Sequence, residues 1–189
     1  MEKVFYFGYG VNKEPKMMRW ITGNPNLKGK PAVLRGYKLC VQRLDQVPDT
    51  VFPTAPVPVS PRTILKDNWG ESFTSYTIKE DPEDEVHGTL WELTLQDREL
   101  VRDWELIDFG WYKDLKVKIE TEDSQEIEVQ TEGIGDGQGY DREVNGTNYE
   151  TWLNLPVEFE RVATKSREDY FARLRKTSEG VSLSNESER

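Results

Sequence analysis

The sequence predicts an α+β fold. Many segments alternate apolar and polar residues with the period of a strand. Two or three helical segments interrupt that strand-rich pattern. The 189 residues suffice for one domain with a real core. Only 35 % of them are hydrophobic, but six Trp, eight Tyr and seven Phe supply large burial per residue.

In chain order, residues 4–9 are an apolar and aromatic run that reads as a buried strand. Gly8 and Gly10 then let the backbone turn sharply and let a ligand approach it. Asn12 suits an N-cap, and Pro15 is tolerated in a first helical turn. A strand, a glycine turn and a helix start together present free N–H groups, which favour a carboxylate or a phosphate. The plainer reading stays open, that the glycines only make a tight turn. A helix over 13–22 follows, with Met17, Met18 and Ile21 as its apolar stripe and Gly23 as its stop.

Residues 32–44 read as a strand with a bulge at Gly36. The stretch 46–66 carries Pro48, Pro53, Pro56, Pro58 and Pro61, so it is expected to be extended and partly polyproline. It is read as an insertion rather than a lid or a partner-binding arm, for want of an aromatic anchor. Residues 72–79 and 86–93 read as strands either side of an acidic turn at 81–85. Thr94 and Asp97 make a capping box for a helix over 95–105, with Leu100, Val101 and Trp104 inward. Residues 111–120 and 125–131 read as two strands joined at Glu122-Asp123-Ser124.

The Gly- and Asp-rich stretch 133–148 lacks the spacing and the following helix of a nucleotide fingerprint. It is read as a mobile loop, with a calcium loop as the remote alternative. Residues 149–159 carry Trp152, Leu153 and Leu155 and should pack back on the core. The expected domain is 1–165, followed by a helix over 166–176 capped by Ser166, then a disordered polar tail over 177–189.

A net charge of −10 argues against general binding to nucleic acid or to anionic membranes. The single cysteine, Cys40, between Leu39 and Val41, reads as a core thiol and leaves no intrachain disulfide. The single histidine, His87, sits in an alternating strand and removes His-rich metal sites. With no signal or membrane-spanning run in view, the expected location is cytoplasmic. Oligomeric state is left open.

Glu105 is placed where a carboxylate should be uncomfortable. It ends a helix, facing the negative end of the dipole, among Trp104, Leu106, Phe109 and Trp111. Burial and the dipole both raise its pKa towards the range of a general acid/base. The alternative is a solvated glutamate paired with Arg102 or Lys113, and local chemistry does not choose between them.

Phe5-Tyr6-Phe7-Gly8-Tyr9-Gly10-Val11-Asn12 resembles the Tyr-Gly-Ser-Asn loop of the gamma-glutamylcyclotransferase family. The likeness continues through Met17, Pro25, Ala32, Gly36-Tyr37 and Leu39, then from Trp69-Gly70 to Gly88-Thr89-Leu90-Trp91, over roughly residues 4 to 160. Glu105 matches the family's catalytic glutamate, and Gly110-Trp111-Tyr112 its glycine-x-tyrosine; Tyr149 is matched to a late substrate-side tyrosine. Val11 departs from the usual serine, removing a hydroxyl but keeping the backbone N–H.

The resemblance implies a small mixed β-barrel with flanking helices. It implies cyclisation of gamma-glutamyl amino acids or peptides to 5-oxoproline, with Glu105 as general acid/base. Tyr6, Gly8, Tyr9, Gly10, Val11, Asn12, Tyr112 and Tyr149 would be on the substrate side. No metal or cofactor is implied, and the partner is a small gamma-glutamyl molecule. The alternatives are a gamma-glutamylamine- or glutathione-specific relative and a catalytically lapsed binding protein. A phosphate-binding module is disfavoured, because the glycine loop carries no Lys or Arg. An enzyme requires Glu105 buried beside Tyr9-Gly10-Val11 in one pocket.

Overall fold

A computed structural model describes residues 2–149, 152–154 and 156–186. Five strands close on themselves: β3 (Thr74–Thr94), β1 (Lys3–Gly8), β5 (Glu126–Ile134), β4 (Tyr112–Thr121) and β2 (Gly29–Arg43), which pairs back with β3. The β1–β5 contact is parallel and the other pairs are antiparallel, so the barrel is mixed. A short β6 (Arg142–Glu143) adds to β2. Four helices flank the barrel: α1 (Pro15–Thr22), α2 (Pro61–Trp69), α3 (Leu95–Trp104) and α4 (Pro156–Glu186). This is the expected α+β barrel. No helix among the described residues is long and apolar enough to cross a membrane.

Strand alternation builds two cores at once. On β1, Phe7 joins Leu34, Leu39, Ile78, Val86 and Ile119 inside the barrel. Its neighbour Tyr6 faces the other way, onto Met17, Met18, Trp91, Val101 and Phe159 beneath α1, α3 and α4. Both faces of β1 are covered from Tyr6 to Gly8, while Lys3 and Phe5 at its start remain exposed.

Several expectations need correcting. Asn12 is not an N-cap: it lies buried in a 3₁₀ turn, Gly10–Lys13, and α1 starts at Pro15 behind Glu14. The acidic stretch is not a turn between two strands. β3 runs through it, and residues 81–84 bulge outward opposite Gly36, where the pairing jumps from Arg35↔Glu85 to Tyr37↔Glu80. The 133–148 segment is not a free loop. Asp141 N–H bonds the Val41 carbonyl at 2.7 Å, Val144 N–H bonds the Leu39 carbonyl at 2.9 Å, and Val144 is buried.

The proline-rich stretch ends in the helix α2. Ser60 caps it, accepting from Thr63 N–H at 3.2 Å, and Pro61 takes the first position, where its missing N–H costs nothing. The stretch also touches the turn after α3: the half-exposed Phe52 ring lies against Gly110, and Thr54 Oγ1 donates to the Asp108 carbonyl at 2.8 Å. The last helix starts at Pro156, ten residues before the expected Ser166. Phe159, Val162 and Ala163 already give it an apolar face at helical spacing, and all three are buried. The helix continues to Glu186, where a disordered tail was expected. Leu155 and the last three positions lie outside the described residues.

Candidate active site

Helix α3 delivers Glu105. Thr94 and Asp97 start the helix with the expected capping box. Glu105 closes it at the C-cap, and Leu106 follows with φ +50. Ile107 N–H reaches back to the Arg102 carbonyl at 3.1 Å, a Schellman-type ending built on a leucine instead of a glycine. This reversal keeps the Glu105 carboxyl in the protein, 7 % exposed.

The 3₁₀ turn after β1 delivers Asn12. Its main-chain carbonyl accepts from Trp91 Nε1 at 3.0 Å, which pins the turn to the barrel wall. Its side-chain Nδ2 donates to Glu105 Oε1 at 2.6 Å and to the Tyr6 hydroxyl at 3.0 Å. The Tyr6 hydroxyl in turn donates to Glu132 Oε1 at 2.6 Å. A buried chain therefore runs Glu105, Asn12, Tyr6, Glu132. Arg98 stands beside it, 2 % exposed, its guanidinium 5.0 Å from the Tyr6 ring centre. Arg98 also bonds Gln130 at 3.0 Å and Asp114 at 2.9 Å.

Burial pushes the Glu105 pKa well above the ordinary glutamate value, and the Glu132 charge adds to it; the Asn12 hydrogen bond and Arg98 oppose this. Burial pushes Glu132 up to about 7, against the opposing pull of the Arg98 charge, the Tyr6 hydrogen bond and the nearby Asn12 amide. Tyr6 is raised too, by burial first and then by Glu132, so it remains a neutral donor. Near neutral pH the two carboxyls cannot both carry a charge cheaply, so a proton stays close to them.

Both open on one cavity of about 80 Å³. Tyr9, Gly10, Val11 and Asn12 line it from the glycine turn. The N–H groups of Gly10 and Val11 begin that turn, where no carbonyl within the turn can accept them. Ile64, Leu65, Asn68 and Trp69 line it from α2. Phe159, Val162 and Ser166 line it from α4, with Trp104 and Trp111 between. The two carboxyls are thus the charged groups of a chamber lined by aromatic and aliphatic side chains together with Asn68, Thr74, Ser75, Asn154 and Ser166.

Of the residues singled out in the sequence, Glu105, Tyr9, Gly10, Val11 and Asn12 meet here. Tyr6 lies behind them, reaching the cavity only through Asn12 and Glu132. Three others do not line it. A Cβ on Gly8 would stand 2.4 Å from the Asn12 carbonyl oxygen, so Gly8 makes room for the turn. Tyr112 donates to the Tyr76 carbonyl at 2.8 Å and stacks on Trp111 at 3.9 Å between ring centres. Tyr149 donates to Glu14 Oε1 at 2.6 Å and packs on Tyr76, outside the chamber.

Sequence reasoning missed Glu132, Arg98 and the α2 wall. Glu132 was lost because the strand was ended at Thr131. Extended by one step, period-2 alternation places it on the face of Gln130, towards Arg98. Cys40 is buried and pushed up to about 11 by burial, as a core thiol should be. No group of three or more metal-ligating side chains comes together among the described residues.

No protein-family model matches the sequence, and no curated protein matches it. Solved structures do. One is an uncharacterized Homo sapiens protein, loc79017, with a TM-score of 0.57 and 20 % identity over 86 % of this chain and 87 % of that one. Another is a gamma-glutamyl cyclotransferase, with a TM-score of 0.57 and 18 % identity over 87 % of this chain and 99 % of that one. The likeness is one of fold, and the fold is gamma-glutamylcyclotransferase-like.

Proposed function

We propose that this chain uses its gamma-glutamylcyclotransferase-like fold to cyclise gamma-glutamyl amino acids or peptides to 5-oxoproline, releasing the free amine. One observation carries the reading. Glu105 is a buried carboxyl with a raised pKa, and it shares a cavity with the glycine turn that holds it through Asn12. That is the arrangement required of an enzyme, as opposed to a binding protein that kept only the barrel.

The substrate's alpha-ammonium gives a proton to the Glu105 carboxylate. The freed nitrogen attacks the gamma-carbonyl carbon, and the ring C–N bond forms. The bond to the leaving nitrogen then breaks as that nitrogen takes the proton from Glu105, and the carboxylate so regenerated removes the second surplus proton from the ring nitrogen and passes it to the departing amine, which leaves as an ammonium. One carboxyl with a raised pKa serves both transfers. The Gly10 and Val11 N–H groups offer donors to the substrate carbonyl or carboxylate, so the loss of a hydroxyl at Val11 is tolerable. Folding the glutamyl chain into attack geometry contributes up to about 7–11 kcal/mol at the limit. In this reading the substrate is a small cytoplasmic molecule and no cofactor takes part.

The test is 5-oxoproline release from gamma-glutamyl amino acids, gamma-glutamylamines and glutathione. The native protein should release it and Glu105→Gln should lose about 10²-fold or more. Activity should rise with pH along a limb lying above the ordinary glutamate range, because the ionised Glu105 starts the reaction. Folded native protein that releases none, or an active Glu105→Gln, overturns the reading.

A further inference from the structure

We infer that the cavity selects gamma-glutamyl molecules whose leaving group carries a large apolar side chain, with Trp69 as the specificity-determining residue. Calling it the leaving group rests on the proposed reaction; the apolar subsite itself stands without it. Five of the residues that line the cavity are aromatic, and their rings form one connected wall. Trp69 is its centre, 4.7 Å from Phe159, 6.0 Å from Phe73 and 6.3 Å from Trp104 between ring centres. Phe73 continues it to Trp111 at 5.8 Å. Each ring packs on another of the set and all five line the same cavity, so they bound one space. Trp69 comes from α2 and Phe159 from α4, two helices outside the barrel.

The wall begins beside the reacting carboxyl: Trp104 precedes Glu105 in the chain, Leu106 follows it, and all three line the cavity. The gamma-glutamyl half of the substrate is an ammonium, a carboxylate and a carbonyl joined by a short methylene chain. In the proposed reaction it is engaged by Glu105 and the glycine turn. The wall is therefore left to the group beyond the bond that breaks. Little in the wall suits a polar side chain there. The described lining holds two carboxyls and no Lys, Arg or His. Asn68 Nδ2 is spent on the Ile64 carbonyl at 2.9 Å, and Asn154 Nδ2 on the Thr74 carbonyl at 2.9 Å. A polar side chain would give up water without an equal partner. An apolar one gains by burial, and an aromatic one gains ring contacts as well. Aromatic faces also attract cations, but here aliphatic Ile64, Leu65 and Val162 complete the lining around them.

The experiment titrates gamma-glutamyl-phenylalanine, gamma-glutamyl-alanine and gamma-glutamyl-lysine into Glu105→Gln, in which turnover is suppressed, by calorimetry. The three ligands share the glutamyl half and the free carboxylate, so only the side chain differs. The phenylalanine ligand should bind about 10-fold tighter or more than the alanine ligand, and the lysine ligand no tighter than the alanine ligand. Adding Trp69→Ala should bring the phenylalanine ligand to within about 2-fold of the alanine ligand, whose own affinity should not change. Should that variant fail to fold, Ile64→Ala, at a partly buried position of the same lining, should narrow the preference by about 3-fold. Equal binding of the phenylalanine and alanine ligands, no binding of any, or a preference that survives Trp69→Ala overturns the inference. A lysine ligand that binds as tightly as the phenylalanine one also overturns it, and assigns the rings to a cation. Phenylalanine preference without 5-oxoproline release from the native protein would overturn the reaction and keep the apolar subsite.

Discussion

Burying the Glu132 carboxyl makes stability depend on pH. Its folded pKa, about 7, lies above the ordinary value of 4.5. The folded state therefore binds the proton more tightly than the unfolded state, and stability is lost as pH rises between those two values. Glu132→Gln keeps the shape and an acceptor for Tyr6 but has no proton to lose. Its Tm should fall less than that of the native protein from pH 4.5 to pH 7.5, read by thermal melts across the range. Gly8 is a second case in which one atom decides. Gly8→Ala would drive a methyl into the Asn12 carbonyl, at a cost of about 1–3 kcal/mol, and displace the turn that carries Asn12. Denaturant midpoint and 5-oxoproline release should both drop. The glycine itself was visible in the sequence. Its partner, four residues on and folded back over it, was not.

At the scale of elements, capping chemistry was readable where proline did not crowd it out. Thr94 and Asp97 were recognised at once, whereas Ser60-Pro61, an equally good start, was hidden among prolines. Ser60→Ala should cost about 1 kcal/mol by denaturant unfolding, since Thr63 N–H loses its acceptor. Because α2 lines the cavity, the same change should raise KM more than it lowers kcat. Leu106 shows an element boundary held against its own preference. A leucine at φ +50 is strained, but it is 6 % exposed and packs with Leu44, Leu65 and Phe109. Leu106→Gly should destabilise in net: relief of about 1 kcal/mol is outweighed by about 2–3 kcal/mol of lost burial. Chemical denaturation reads the sign.

For the molecule as a whole, the barrel's weakest seam runs beside the site. β2 and β3 pair along most of their length, while β1 and β5 share one register pair, Tyr6↔Gln130. Side chains reinforce that seam: Thr131 Oγ1 donates to the Phe7 carbonyl at 2.8 Å, and Tyr6 reaches Glu132. Thr131→Val would leave the Phe7 carbonyl without that donor, at about 1–3 kcal/mol. In hydrogen exchange, amides of β1 and β5 should open before those of the β2–β3 ladder, and the variant should widen the gap. Slow, uniform exchange across both would contradict a weak seam. Glu132, Tyr6 and Asn12 all hang from this seam, so its opening would dismantle the site first.

Local signals alone yield the α+β class, most strand positions, the C-terminal end of α1 and both ends of α3, whereas Glu105 was singled out only through the resemblance to a known family. The period of alternation and the capping residues carry the first group; a charge set among tryptophans left Glu105 undecided. Only the tertiary structure decided that Glu105 meets Glu132 through Asn12 and Tyr6, that α2 walls the cavity, and that Gly8, Tyr112 and Tyr149 stand outside it. Closing the barrel brings β1 against β5 across more than a hundred residues of chain, and no periodicity within either strand records which side chains then face each other.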